Sequence, residues 1–168
     1  MTHHLVTQLR FTRSEWVRGL NGVTDDEGMR RLLPMNSISW MVGHLAWQEH
    51  NYWVRMAQGL DIAPELDHMV ATRQPAGEPE LDEMWATWSA ITRVADEYLD
   101  TLTEDMLVKA LPHDTQPFVE TRNIGTLLLR NIYHYWYHLG EALAVRQQLG
   151  HTGLPQFVGD MSAAAYRE

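Results

Sequence analysis

The chain has 168 residues, 45% hydrophobic and 21% charged, enough for one domain with a real core and too apolar for a disordered chain. Its 22 acidic and 13 basic residues give a formal net charge of −9, which repels phosphate backbones and sets nucleic acid aside as a partner. There is no cysteine, which excludes a disulfide framework, a zinc–thiolate site and a thiol nucleophile of the chain's own.

Met1 is followed by Thr2-His3-His4 rather than a basic and then apolar leader, and no stretch approaches the roughly 20 apolar residues of a membrane span. The expectation is a single soluble, cytoplasmic domain over residues 1–168, with neither nucleic acid nor membrane as partner.

The first helix is predicted from His4 to Leu20, where Leu5, Leu9, Trp16 and Leu20 recur at near-helical spacing and Asn21-Gly22 stops it. Thr24-Asp25-Asp26-Glu27 has the form of a capping box and opens a short piece that ends before Pro34. The second long helix runs from Ser37 to Gln58, capped by Asn36 or Ser37 and ended by Gly59. Ile38, Met41, Val42, Leu45, Tyr52 and Met56 share one broad side of it. From Leu60 to Pro79 the chain holds three prolines and a glycine without helical period and reads as a long crossover.

The third helix starts near Glu80 and carries Leu81, Met84, Trp85, Trp88, Ile91, Val94, Ala95 and Leu99, with Glu80, Asp82 and Glu83 suited to its N-terminal dipole. A helical turn around Glu104–Ala110 and a loop bracketed by Pro112 and Pro117 follow. The fourth helix runs from about Thr126 to Leu149, and Gly150 closes it. The tail from His151 is irregular, with room for a final helical turn. Strand alternation is weak throughout. These elements describe an all-α four-helix bundle with one long crossover between helices 2 and 3. All seven tryptophans fall in helices, as core packing or as the lining of an aromatic pocket.

His134-Tyr-Trp-Tyr-His138 places two imidazoles about 40° apart around the fourth helix and roughly 6 Å apart along it, so both rings can meet one ion. Metalloprotease helices of this spacing carry a glutamate directly after the first histidine; Tyr135 stands there, which argues against peptide hydrolysis of that kind. Leu127, Asn131, His134, His138, Ala142 and Val145 form a bundle-facing stripe, so the pair points inward. At this level a metal ion and a core pair satisfied by other partners both stand.

His44 lies on the apolar side of the second helix, whereas His50 is about 240° further round and points elsewhere. Bundles build metal sites from facing helices, and three neutral imidazoles leave a position open, the pattern of a catalytic site. His44, His134 and His138 are therefore the candidate ligands of one divalent transition metal. Nitrogen donors suit zinc or nickel, and iron as well, over magnesium or calcium. A di-iron site is rejected, because Glu65-Leu-Asp-His68 is the sole Glu-x-x-His sequence and lies in the crossover.

The segments Ser37-Ile-Ser-Trp-Met-Val-Gly-His44-Leu and His134-Tyr-Trp-Tyr-His138-Leu-Gly-Glu141 resemble the DinB/YfiT superfamily, and Arg146-Gln-Gln-Leu-Gly-His151 with Leu154-Pro-Gln-Phe-Val-Gly-Asp160 resembles its actinobacterial type. The resemblance covers essentially the whole chain. It implies a four-helix bundle whose metal triad falls on His44, His134 and His138. Many members have Arg-Gly-Gln after the last histidine, where this chain has Leu139-Gly140-Glu141, so contacts through that Arg or Gln are not carried over. Glu141 reads either as a carboxylate accepting from a ring N–H or as a solvated acid.

The resemblance further implies a metal-dependent S-transferase or isomerase using a mycothiol-type thiol, related to mycothiol-dependent maleylpyruvate isomerase, with a small-molecule substrate and a homodimer packed through helix faces. A metal that stabilises a thiolate would let a cysteine-free protein run sulfur chemistry. Arg130, one turn before His134, is placed to meet an anionic thiol or to sit at the surface; Tyr133, Tyr137, Trp47 and Trp136 are pocket or packing residues. The alternatives are a metal-dependent hydrolase and a non-catalytic metal-binding or stress-related module. An iron-dependent sulfoxide synthase ranks last, since those enzymes carry a further C-terminal domain.

Overall fold

Capping side chains open three of the four long helices. His3 accepts from Leu5 N–H ahead of α1 (His4–Leu20), Ser37 from Trp40 N–H ahead of α3 (Ile38–Glu49), and Asn123 from Thr126 N–H ahead of α7 (Ile124–Gln148). The last cap starts the helix slightly before Thr126. Between them lie α2 (Asp25–Met29), which has the expected Thr24–Glu27 capping box, α4 (Leu66–Met69), α5 (Leu81–Leu99) and α6 (Glu104–Leu107). Single 3-10 turns stand at Glu120–Arg122 and Ser162–Ala164. The computed structural model describes residues 2–75, 77–117, 119–156 and 158–166. Among these there is no strand, and no helix is long and apolar enough to cross a membrane.

Side-chain pairings give the directions of the long helices. α1 and α7 run parallel, since Phe11 meets Trp136 and, further along, Arg146 donates to the Gly19 carbonyl. α3 and α7 are antiparallel, with His44 against His138 and Trp53 against Asn131. α3 and α5 are parallel: Gly43 lies by Met84, and Gln58 donates to the Val94 carbonyl. Parallel neighbours require a connection that travels the length of the bundle, which is the crossover read from the prolines. That crossover is more structured than its composition suggests. Leu66 and Val70, one helical turn apart, are both fully buried, and α4 forms to seat them.

A second departure from the sequence reading lies in the helix carrying His44. From His50 to Met56 it continues as a π-helix. The wider turn rotates the later residues relative to α-helical phase. Trp53 and Val54 are sealed in the core, while Tyr52 and Met56, expected beside Leu45, are half-buried. His50 turns toward the crossover, where Nε2 accepts from the Ile62 N–H at 3.1 Å.

One buried ion pair joins the long helices through the largely apolar core. Arg13 of α1 and Glu49 of α3 are buried and make a forked pair, with Nε–Oε1 at 2.7 Å. Asp96 of α5 takes a further Arg13 hydrogen bond at 2.8 Å. Tyr135 of α7 donates to Glu49 Oε1 at 2.7 Å and accepts from Trp88 Nε1 at 2.6 Å. Burial alone would favour neutral arginine, but the charge and hydrogen bonds of Glu49 prevail and raise the Arg13 pKa.

Breaking this pair from one side strands the other charge in the core. Glu49→Ala should lower the unfolding free energy by about 3–5 kcal/mol, and the double change Arg13→Met with Glu49→Leu should recover most of it. Urea denaturation of the three proteins checks this; equal midpoints for Glu49→Ala and the parent would refute it.

Candidate metal centre

His44 reaches the α3/α7 seam because Gly43 precedes it. A Cβ at Gly43 would meet Val70 Cγ1 at 3.0 Å, so the missing side chain lets the crossover close over the helix. The Val70 carbonyl then lies 2.7 Å from His44 Nδ1. A carbonyl only accepts, so Nδ1 carries the proton and Nε2 presents its lone pair. Two indoles clamp the ring: Trp40 stacks at 4.5 Å with 14° between planes and Trp47 at 5.5 Å with 18°. Trp47 is tied by Nε1 to Asp67 of α4 at 2.8 Å, and Arg55 holds Asp67 in turn. Trp40 and Trp47 thus line the site, whereas Trp16 and Trp53 are core.

His134 and His138 arrive from α7. Their rings lie 5.0 Å and 5.3 Å from that of His44, and one ligating nitrogen from each of the three lies within 4.8 Å of the others. Glu141 Oε2 is 2.8 Å from His138 Nδ1, so this carboxylate orients the ring rather than facing solvent alone. With Nδ1 turned to the carboxylate, Nε2 of His138 faces the other two rings. The two Nε2 atoms of His134 and His138 lie 3.0 Å apart, a contact in which one ring donates and the other accepts. His134 Nδ1 is buried and has no hydrogen-bond partner among the described residues.

The donor set fits a transition metal. Bonds of about 2.0–2.1 Å to tetrahedral zinc need nitrogens a little over 3 Å apart, a spacing these rings reach with small rotations. A proton sits between His134 and His138 where a cation would replace it. Burial pushes the pKa of His44 down to about 4, with the charge of His138 adding to the effect. Burial likewise pushes His134 to about 3, helped by its cationic or protonatable neighbours His138, His44 and Arg130. Both rings are neutral at pH 7, the form that ligates.

The sequence brought these three histidines and Glu141 forward, and the structure places all four at one point. Tyr133 and Tyr137 stay largely exposed at the rim, and Trp136 is half-buried against Phe11. The spacing missed Trp40, Val70, Gln48 and Asn131. Gln48 Oε1 accepts from Asn131 Nδ2 at 3.0 Å, one turn from His44 and from His134. The bonding stripe of Asn131 with His134 was a usable signal; the carbonyl of Val70 had none.

The low histidine pKa values carry a stability consequence. An unfolded histidine protonates near 6.5, while His44 and His134 resist protonation in the native state. Between these values the unfolded chain binds more protons, so acidification favours it. The urea midpoint of metal-free protein should fall from pH 6.5 to 5, above the main carboxylate range. The slope should shrink in His134→Gln, and an unchanged slope in that variant would contradict the assignment.

The sequence model of the DinB superfamily matches residues 8–142, a span that holds all three histidines and Glu141. No curated protein matches the chain. A match over most of the chain, on a bundle of the expected architecture, establishes that the chain belongs to the DinB superfamily.

Proposed function

We propose that His44, His134 and His138 hold one divalent transition metal, zinc or nickel first and iron next, in an enzyme that activates a small thiol for S-transfer or isomerisation. The observation that carries this reading is the convergence of three imidazoles, two of them oriented from behind, with His134 only partly buried. When bound, such a metal has a coordination position left for a small ligand and favours the thiolate form of a thiol.

The residues of the chain perform the remaining tasks. The Val70 carbonyl and the two indoles hold His44 in one tautomer and one plane. Glu141 holds His138 and raises its basicity as a ligand. Trp40, stacked on His44 and edge-on to His138 at 6.4 Å, keeps water from one side of the centre. Since the chain has no cysteine, the sulfur nucleophile arrives with a cosubstrate of the mycothiol type. The thiol gives up its proton to solvent; in transfer its sulfur bonds to the electrophilic carbon as the leaving group departs with its bonding pair, and in isomerisation the sulfur adds to the carbon and later leaves with that same pair.

Elemental analysis of tag-free protein should find about one equivalent of metal per chain, lost in His138→Ala; a metal-free parent would refute the reading. Glu141→Gln should weaken metal affinity by about 10–100-fold while retaining the fold. The metal-loaded protein should turn over a model electrophile only when a thiol is supplied. Ester or amide turnover without thiol would assign a hydrolase instead, and metal binding with neither activity a non-catalytic module.

A further inference from the structure

The seam between α3 and α7 continues past the histidines toward the start of α7. Trp53 Nε1 donates to Asn131 Oδ1 at 2.7 Å, and an indole can only donate. This fixes the Asn131 amide with Nδ2 toward Gln48 Oε1. The Gln48 amide is fixed in its turn, with Nε2 left as a donor. Gln48 is 8% exposed, yet Nε2 has no partner among the described residues and is not sealed in the core. A nearly buried amide held in one orientation thus keeps one donor turned outward, open to a ligand.

One turn further lie a hydroxyl and a cation. Tyr52 follows Gln48 by four residues, and Arg130 precedes His134 by four. Arg130 lies near enough to the Tyr52 hydroxyl and to His134 for its charge to bear on both. It is exposed and takes part in no ion pair among the described residues, in a protein of net charge −9. The neighbouring Arg122 is engaged by Asp114 at 2.7 Å, so Arg130 is the positive charge beside Tyr52 that no acid of the described residues pairs. A donor amide, a hydroxyl and a guanidinium fork in sequence match a monoanion with two coplanar oxygens, which is a carboxylate.

We propose that Gln48, Tyr52 and Arg130 form a specificity subsite for a carboxylate on the small molecule that reacts at the three-histidine centre, with the acid group one to two helical turns from the reacting atom. At about 1.5 Å per residue, that separation is roughly 6–12 Å. The inference rests on the metal-centre reading above. The carboxylate belongs either to the thiol or to the electrophile, and the subsite chemistry is the same for both.

The test uses zinc-loaded protein, with metal content measured in parallel, and titrates 6-mercaptohexanoate against its methyl ester by calorimetry. The acid should bind about tenfold or more tightly than the ester, the scale of one charge-assisted contact. Arg130→Gln should remove most of that preference and Tyr52→Phe and Gln48→Leu part of it, with ester affinity and zinc content unchanged. Equal binding of acid and ester would overturn the subsite and leave the thiol reading standing.

If zinc is held but neither thiol binds, the thiol reading falls. The subsite is then judged by the same acid–ester comparison on a six-carbon hydroxamate, which grips zinc without sulfur. A protein that holds none of zinc, nickel and iron overturns both. In turnover, an acid preference confined to the thiol places the carboxylate there; one confined to the electrophile places it on that partner.

Discussion

The forked pair of Arg13 and Glu49 is the point from which the rest of the bundle takes its register. Two charges moved out of water cost several kcal/mol each, and only close, multiply bonded geometry offsets this. Here the geometry draws on all four long helices: Arg13 from α1, Glu49 from α3, Asp96 and Trp88 from α5, and Tyr135 from α7. Sliding any helix by a turn would strand a charge or a phenol in an apolar core. Tyr135 is fully buried, and burial together with the Glu49 charge holds its hydroxyl protonated. It can therefore only donate toward the carboxylate. Apolar packing alone would tolerate neighbouring registers; this network tolerates one.

The metal centre depends on that register directly. Glu49 lies five residues beyond His44, and Tyr135 lies one beyond His134, so their 2.7 Å contact aligns α3 and α7. The histidines then face each other on one side of the seam while the ion pair sits on another. A continuous α-helix through residue 56 would place different side chains on the seam. The π-helical stretch turns Trp53 inward to Asn131, leaving the half-buried Tyr52 near Arg130. The three rings are not equally anchored. His44 and His138 are each fixed through Nδ1, whereas His134 has no partner there among the described residues. That makes His134 the ring best able to adjust to an incoming ion.

The ends of the chain serve the same frame. Arg146 bonds His151, and His151 bonds Glu27, whose pKa the Thr24 N–H and then His151 lower to about 2. Gln8 holds the Ala164 carbonyl, and Glu15 takes the Gly159 N–H. The residues after α7 that carry the family resemblance are thereby strapped to α1 and α2.

Read alone, the amino-acid sequence determined the helices, the long crossover and the identity of the three histidines. Helix periodicity, caps and prolines act over a few neighbouring residues, and a pair at i and i+4 is a local property of one helix. It also determined that any sulfur chemistry must use an imported thiol. Whether Glu141 meets a ring or water, and whether His44 faces the α7 pair, was decided by packing between helices. The Val70 anchor of His44 and the Asn131 partner that orients Gln48 depend on backbone and side chains 26 and 83 residues apart. No short window of sequence holds both partners of such contacts. The shift to a π-helix after Glu49 is of the same kind, since what seats Trp53 against Asn131 is the shape of the facing helix and not its own sequence.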